Sequence, residues 1–118
     1  MNINQEEGYI TVTLDGKLDQ TILMAMPDTI RAECDKRGCK SVLIDCLLLS
    51  GTGLSTSQRF FIGKKIARVM SGIKLAVVWP AKDIDGFAER VATNRGGRII
   101  VTSDLEHARQ WLLLDPED

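Results

Sequence analysis

Apolar residues follow two alternating spacings along this chain. Short runs of apolar residues, rich in β-branched side chains, predict strands at Tyr9–Leu14, Ser41–Leu47, Ile73–Trp79 and Ile99–Val101. Between these runs, apolar residues recur every three or four positions, which is typical of amphipathic helices. The predicted order of elements is therefore β(β)αβαβαβα, in which the bracketed strand is Asn2–Gln5.

This order predicts an α/β fold in a single domain that spans residues 1–118. Strands that alternate with helices over short connections form mostly parallel sheets. We expect a sheet of four to five mostly parallel strands, an antiparallel N-terminal strand or hairpin, and about four flanking helices. A chain of 118 residues is long enough to bury about two thirds of its unfolded surface.

Capping signals predict where the first two helices begin and end. Asp19 is expected to cap the first helix, and Gly38 is expected to end it. Because Pro27 interrupts the helical pattern, we expect a short turn, a kink and a main helix from about Pro27 to Lys36. The second helix should end at Gly72.

Similar signals apply to the last two helices. Asp83 or Asp85 is expected to cap the third helix. Ser103 is expected to cap the fourth helix, and Glu106 three residues later completes a capping box. The fourth helix should bury three side chains, those of Leu105, Ala108 and Leu112.

The strand at Ser41–Leu47 leads into a turn rich in glycine and hydroxyl residues, Ser50–Ser57. In open α/β sheets, ligands and partners dock at such carboxyl ends of strands. Backbone N–H groups of residues 53–55 at the helix start would favour a phosphate or carboxylate. The turn has neither the GxGxxG fingerprint nor the P-loop lysine of nucleotide sites, and a tight turn with a helix cap is the simpler interpretation. The candidate phosphorylation or anion-binding residues are Ser50, Thr52, Gly53, Ser55, Thr56 and Ser57.

Two further positions near this turn are candidates for a site. Asp45 is the one charge in the buried strand, but a catalytic carboxylate needs an acid or base partner, and the sequence shows none. We therefore expect Asp45 to accept backbone N–H bonds. Trp79 and Phe87 could line a pocket beside the turn, although core packing is the commoner fate of a tryptophan. No cluster of His, Cys or Asp has the spacing of a metal site.

The composition of the chain mainly excludes classes of protein. The chain is 44% hydrophobic and 26% charged with a formal net charge of −1, whereas an obligatory nucleic-acid binder would show a basic excess. The longest apolar run, Val42–Leu49, is too short to span a membrane. Met1–Gly8 is unlike a signal peptide, and three cysteines without a CxxC motif favour a reduced cytosol. One group of basic residues is expected to be solvated: Lys64, Lys65, Arg68 and Lys74.

Several stretches of the chain resemble the STAS domains, the fold of sulfate transporters and anti-sigma-factor antagonists. Gly8–Asp19 resembles their opening strand and G-x-L-D motif, Val42–Asp45 resembles the second core strand, and Gly53-Leu54 resembles the start of the following helix. The segments Glu89–Gly96 and Asp104–Leu112 resemble the SpoIIAA-like branch of bacterial STAS/SEC14-type proteins. The similarity covers nearly the whole chain, and its weight comes from the order and spacing of short motifs.

The resemblance implies a sheet of four or five strands with helices, no cofactor and a non-enzymatic role. In anti-sigma-factor antagonists, a partner kinase phosphorylates a serine in an Asp-Ser-Ser-Gly turn. Matching Gly53-Leu54 to that pattern puts Thr52 at the phosphorylated serine, Gly51 before it and Ser50 at the aspartate. The chain differs from the pattern at these three positions, and the segment that joins Asp45 to the turn is shorter.

The leading hypothesis is a cytoplasmic regulatory module that binds another protein, an anti-sigma factor or a kinase-like protein, through Ser50–Arg59. The alternative is a binder of a small apolar or amphipathic, lipid-like ligand between that turn and Trp79–Phe87. An enzyme that uses Asp45 comes third. A homodimer through the apolar segment Trp111–Leu114 is a further expectation. The predicted ligand or partner surface comprises Asp45, Leu54, Arg59, Trp79 and Phe87.

Overall fold

The computed structural model describes residues 1–114 of the chain. Its strands are β1 (Asn2–Gln5), β2 (Ile10–Lys17), β3 (Ser41–Ser50), β4 (Lys74–Val78) and β5 (Arg98–Thr102). Its α-helices are α1 (Gln20–Arg37), α2 (Thr56–Val69), α3 (Phe87–Asn94) and α4 (Leu105–Leu112), and a 3₁₀ turn covers Ala81–Asp83.

The five strands form one sheet in the order β1-β2-β3-β4-β5, which is also their order in the chain. β1 pairs with β2 in the antiparallel sense, and every other pair of neighbouring strands is parallel. The predicted α/β fold, with Asn2–Gln5 as an antiparallel edge strand, is confirmed. The helices α1, α2 and α3 each connect two parallel strands, and α4 follows β5.

Different helices cover the two faces of the sheet, because successive side chains of a strand point to opposite sides. Val12, Ile44 and Leu75 pack with side chains of α1, α2 and α3 in the larger core cluster, and we call this side the three-helix face. Leu43 and Ala76 belong to a smaller cluster under α4, and we call this side the α4 face.

The strand β3 is longer than the predicted strand, which ended at Leu47. It continues to Ser50. Asp45 lies opposite Val78, the last residue of β4, so residues 46–50 extend past β4 and pair only with β2 among the described strands. The turn that follows β3 therefore begins at Gly51, beyond the end of the neighbouring strand β4.

The predicted kink in the first helix is wrong, because α1 is one continuous helix with a buried Pro27 inside it. Proline removes a hydrogen-bond donor from the helix interior. The missing N–H of Pro27 is the one that would reach the Leu23 carbonyl, and the helix nevertheless continues to Arg37. The Lys65 ammonium of α2 donates to the neighbouring Met24 carbonyl and pairs with the Asp28 carboxylate at 2.7 Å, which ties α1 to α2 beside Pro27. The predicted ends of α1 are confirmed, with the Asp19 carboxylate accepting the N–H of the third helical residue at 2.8 Å and a left-handed glycine after Arg37.

Two predicted ends of the inner helices need correction. α2 ends at Val69 with Met70 as its C-cap, so Gly72 lies in the following turn. Gly86 occupies the N-cap position of α3, and it has a left-handed backbone. Of the two predicted caps for α3, the Asp85 carboxylate does accept the N–H of Phe87 at 2.9 Å.

The predicted capping box of the last helix is also wrong. Asp104 caps α4, and its Oδ1 accepts the N–H groups of Glu106 at 2.9 Å and His107 at 3.3 Å. A carboxylate at this position satisfies two free amides and complements the positive helix end, which a Ser103 hydroxyl does less well. The shift by one residue leaves Leu105 exposed, whereas Ala108 and Leu112 are buried as predicted.

Lys74 lies under α4, although the sequence placed it among solvated basic residues. Its side chain is buried, and its ammonium donates to the carbonyls of Trp111 at 2.6 Å and Leu114 at 3.0 Å. The ammonium also stands 4.7 Å from the centre of the Trp111 ring. Because helix C-termini carry free carbonyls and a partial negative charge, this lysine fastens the end of α4 to the sheet.

Candidate functional site

The turn Gly51–Ser55 joins β3 to α2 at the carboxyl end of the sheet. Its far end is a capping box, in which the Ser55 hydroxyl accepts the Gln58 N–H at 3.1 Å and the Gln58 side chain accepts the Ser55 N–H at 2.8 Å. Gln58 also donates to the side chain of Gln20 on α1 at 2.9 Å. The start of α2 is therefore held both by its own cap and by the start of α1.

Gly51 starts this turn with a left-handed backbone, φ 76°. A Cβ atom at this position would stand 2.9 Å from the Leu18 carbonyl oxygen, which is closer than real contacts allow. The backbone of the turn can therefore lie against the β2–α1 connection only because residue 51 is a glycine.

Thr52 is the buried anchor of the turn, with 4% of its surface exposed. Its hydroxyl donates to the Asp83 carboxylate at 2.6 Å, and its carbonyl accepts the indole N–H of Trp79 at 3.2 Å. Both partners belong to the segment after β4. A buried hydroxyl bonded to a carboxylate is a strong hydrogen bond, so the turn and that segment form one unit.

Arg59 adds a second connection between the same two segments. Its guanidinium Nε donates to the Leu54 carbonyl at 3.0 Å and lies 3.3 Å from the Asp85 carboxylate. The arginine side chain is 12% exposed, whereas that of Asp85 is 54% exposed. The guanidinium thus lies at the boundary between the protein interior and solvent.

The structure separates the predicted phosphorylation candidates into two groups. Thr52, the position matched to the phosphorylated serine of anti-sigma-factor antagonists, is buried. Four other hydroxyl residues are exposed: Ser50, Ser55, Thr56 and Ser57. The Ser55 hydroxyl serves the capping box, whereas Thr56 and Ser57 form the first turn of α2.

The anion site at residues 53–55 stays a prediction, and some of its amides already have partners within the chain. The Leu54 N–H donates to the Thr52 carbonyl at 3.0 Å, and the Ser55 N–H donates to Gln58 as described above. Two of the three amides are therefore already used within the turn and its cap. Gly53 is exposed and lies beside the Asp83 carboxylate, whose negative charge disfavours an anion there.

Asp45 has a local role in β3. A bulge lies next to it, since Thr13 pairs with Asp45 but Asp15 pairs with Leu48, which leaves one extra residue on β3. The Asp45 carboxylate accepts the Leu47 N–H at 3.1 Å within this bulge. The side chain accepts a backbone N–H, as the sequence analysis expected, but from its own strand rather than from the following turn.

An apolar cavity of about 90 Å³ lies on the three-helix face, directly behind the turn. Leu54, Arg59 and Trp79 are among its lining residues, so the structure brings together three of the predicted surface residues. Asp45 and Phe87 do not line it. Phe87 instead is half-buried, with the Arg90 guanidinium 5.9 Å from its ring centre.

The outward side of α2 carries two aromatic residues, Phe60 and Phe61, that the sequence analysis did not single out. Phe61 is 51% exposed, and its ring meets the Phe60 ring edge-on at a centroid distance of 5.4 Å. The Lys64 ammonium and the Arg95 guanidinium lie 5.2 Å and 5.5 Å from the centre of the Phe60 ring. The helical spacing of Ser57, Phe61, Lys64 and Arg68 would have indicated this stripe.

Burial raises the pKa of two thiols on the three-helix face, that of Cys34 to about 11 and that of Cys46 to about 12. Both thiols therefore stay protonated at neutral pH, and a protonated thiol is a poor nucleophile. Cys46 lines the cavity but is not equipped for covalent chemistry.

Residues 1–114 contain no cluster of three or more His, Cys, Asp or Glu side chains that could hold a metal ion. Within the same residues, no helix combines the length and apolar character needed to cross a membrane.

No family model matches the chain, and no curated protein matches it in sequence. Among solved structures, the anti-sigma factor antagonist SpoIIAA in its unphosphorylated form aligns with a TM-score of 0.53, covering 96% of this chain and 98% of that chain. This chain has the SpoIIAA fold. At 11% sequence identity the likeness concerns the fold, and it confirms at that level the STAS resemblance found in the sequence. In this fold, the turn Gly51–Ser55 and the start of α2 lie at the carboxyl end of a five-stranded mixed sheet.

Proposed function

We propose that this protein is a non-enzymatic regulatory module that binds another protein through the turn and helix start at residues 50–59 and the outward side of α2. The fold supports a regulatory role, since SpoIIAA is an anti-sigma factor antagonist. The partner we propose is correspondingly an anti-sigma factor or a kinase-like protein.

The observation that carries this proposal is the stripe Ser57, Phe61, Lys64 and Arg68 on α2. Phe61 and the three polar residues are exposed and follow each other one helical turn apart. Aromatic side chains and arginine are enriched where proteins bind each other, and a half-exposed phenylalanine is the type of anchor that a partner pocket covers. The stripe continues directly from the turn that Thr52 and Arg59 hold in place, so the surface is preorganised.

Ser57 and Thr56 are the phosphorylation sites that we propose, in place of the buried Thr52. A kinase needs an accessible hydroxyl, and both residues are exposed. They occupy the first two positions of α2, where the positive helix end tolerates an added phosphate. Ser57 also lies in line with Phe61, so a phosphate there would place a double negative charge within the proposed partner surface.

The test is partner capture with matched surface variants. Tagged wild-type protein, Phe61→Glu, Ser57→Glu and the control Leu105→Glu are expressed in the source cells, cross-linked and purified. Leu105 is an exposed apolar residue on α4, far along the chain from the stripe, and is therefore a matched control. We expect one protein to be retained by the wild type and Leu105→Glu, and to be reduced at least tenfold by Phe61→Glu and Ser57→Glu.

Equal retention by all four proteins would contradict the proposed surface. Circular dichroism of each variant shows whether the fold is intact. Mass spectrometry of the purified wild type then maps any phosphate. A phosphate on Thr52 rather than on Thr56 or Ser57 would overturn the proposed modification site.

The cytosol is the compartment that we propose, in keeping with three free thiols. A homodimer through the end of α4 is also proposed, because Leu113 and Leu114 are each 58% exposed. Sedimentation of the wild type and Leu114→Asp tests it. We expect a dimer that the substitution dissociates, and a wild-type monomer at high concentration would remove the proposal.

A further inference from the structure

We propose that the cavity on the three-helix face is a binding site for one small, uncharged apolar molecule, which enters between Arg59 and Asp85. This site does not depend on the protein partner proposed above. It gives the alternative hypothesis of a small apolar ligand a defined location and a size limit.

The chemistry of the wall selects an apolar guest. The accessible surface of the wall is almost entirely apolar. Aliphatic side chains of α1, α2 and the sheet supply much of it together with the indole of Trp79: Leu23, Ile30, Ile44, Ile62 and Leu75. Its charged lining residues are Arg59, Asp85 and Glu89. Among the described residues, every buried side-chain nitrogen and oxygen has a hydrogen-bond partner. A water molecule against the apolar part of this wall would therefore find few polar partners, whereas an apolar guest needs none.

An apolar guest gains dispersion contacts with the wall of the cavity. Atoms that line a void lack dispersion contacts on one side, and a guest of matching size restores those contacts. An engineered apolar cavity of about 150 Å³ takes up benzene or xenon. At about 90 Å³ this cavity is smaller, so we expect it to hold xenon or a molecule no larger than benzene. A long lipid chain exceeds this volume.

The entrance combines a movable ion pair with a fixed wall. The Arg59 guanidinium and the Asp85 carboxylate both belong to the cavity lining and are 3.3 Å apart, and because the Asp85 side chain is 54% exposed we place the entrance between them. The Asp85 side chain can turn towards solvent, whereas the Arg59 guanidinium is mostly buried and is also bonded to the Leu54 carbonyl. Trp79 cannot move as readily, because its indole N–H is bonded to the Thr52 carbonyl.

The chain provides its own reporter for the guest. It contains two tryptophans, Trp79 in the cavity wall and Trp111 on α4, so Trp111→Phe leaves Trp79 as the single indole. Xenon quenches indole fluorescence on contact, and xenon-129 NMR detects the bound gas independently. We expect saturable quenching of Trp79 by xenon, a saturable xenon chemical shift, and a rise in the unfolding temperature with benzene.

Two neighbouring residues of β4 supply matched variants. Val77 lines the cavity, whereas Ala76 points to the α4 face. In the Trp111→Phe background, Val77→Phe should fill the cavity and weaken xenon binding at least tenfold, and Ala76→Val should leave it unchanged. Ala88→Leu fills the same cavity from α3 and serves if Val77→Phe does not fold.

Quenching that rises linearly with xenon pressure and is equal in Val77→Phe, Ala88→Leu and Ala76→Val would overturn the proposal, because it would report collisions at the surface only. Saturable binding of indole as tight as that of benzene would overturn the size limit.

Discussion

The two faces of the sheet are closed in different ways. On the three-helix face, α1, α2 and α3 are each tied to two strands, and an apolar cavity of about 90 Å³ remains between them. On the α4 face a single helix lies over β3, β4 and β5 and is fastened by a buried lysine. The cavity lies on the three-helix face, and we expect the α4 face to be the more densely packed of the two.

Truncating a buried leucine on each face tests this contrast most strongly. Leu43 lies on the α4 face and Leu75 on the three-helix face, and both are buried. We expect Leu43→Ala to lower the free energy of unfolding by about 4 kcal/mol and Leu75→Ala by about 3 kcal/mol, since Leu75 already borders a cavity and has fewer contacts to lose. Urea unfolding at neutral pH measures both. A larger loss for Leu75→Ala would break the comparison.

Lys74, which joins α4 to the sheet, and Lys65, which joins α2 to α1, provide a second test. Lys74→Ala removes a buried ammonium from the carbonyls at the end of α4, and we expect a loss of about 3 kcal/mol. Lys65→Ala removes the bond to Met24 and the pair with the exposed Asp28, and we expect a loss of about 1 kcal/mol. Urea unfolding measures the losses, and Lys74→Met shows how much of the first one is the packing of the side-chain stem. Equal losses for the two alanine variants would contradict the special role of Lys74.

A third test concerns the edge where the turn closes over the three-helix face. Thr52→Val keeps the shape of the side chain but removes the donor to Asp83, and we expect it to cost about 1.5 kcal/mol. Ser57→Ala, at an exposed hydroxyl in the same segment, should stay within about 0.5 kcal/mol of the wild type. Thermal and urea unfolding followed by tryptophan fluorescence compare them. A neutral Thr52→Val would show that the Thr52–Asp83 bond does not hold the turn.

The last test is alkaline, and it belongs to the three-helix face, where Cys34 and Cys46 lie. The pKa of Cys46 is about 12 in the folded protein, against an ordinary value of 9.0. The folded state therefore keeps this proton when the unfolded chain loses it. The contribution is fully present below about pH 9 and is lost as the pH rises towards 12, by at most about 1.4 kcal/mol per pH unit.

Cys46→Ala isolates this contribution. Urea unfolding between about pH 8 and pH 10.5 should show a flatter fall in stability for Cys46→Ala than for the wild type. Parallel curves for the two proteins would contradict the assignment to Cys46.

Much of the architecture could be predicted because each strand carries its own local signal. The run at Val42–Leu49 is apolar on both sides, as a central strand must be, and the alternation at Tyr9–Leu14 marks a strand nearer the edge. The position of Lys74 could also have been inferred. In a strand it shares its face with Ala76 and Val78, two residues away and four residues away, and both are buried.

The details of the site were less accessible, because they depend on residues distant in the chain. The bond from Thr52 to Asp83 spans 31 positions, and no local pattern distinguishes a buried hydroxyl from the exposed ones beside it. The contact between α1 and α2 beside Pro27 depends similarly on Lys65, which lies 41 positions after its acceptor Met24. By contrast, the sequence analysis expected Arg59 and Trp79 near the turn, because the order of strands and helices is enough to place both residues at the carboxyl end of the sheet.

The identical order of the strands in the sheet and in the chain has a consequence for synthesis on the ribosome. Each strand from β2 onwards emerges next to a neighbour that has already been made, so the sheet can grow by one edge at a time. The helix α4 is the last element of the described chain to emerge. Until then the apolar side of β3, β4 and β5 is uncovered. The nascent protein therefore passes through a late stage with a nearly complete sheet and one exposed apolar face, and the addition of α4 ends its exposure to aggregation and to chaperones.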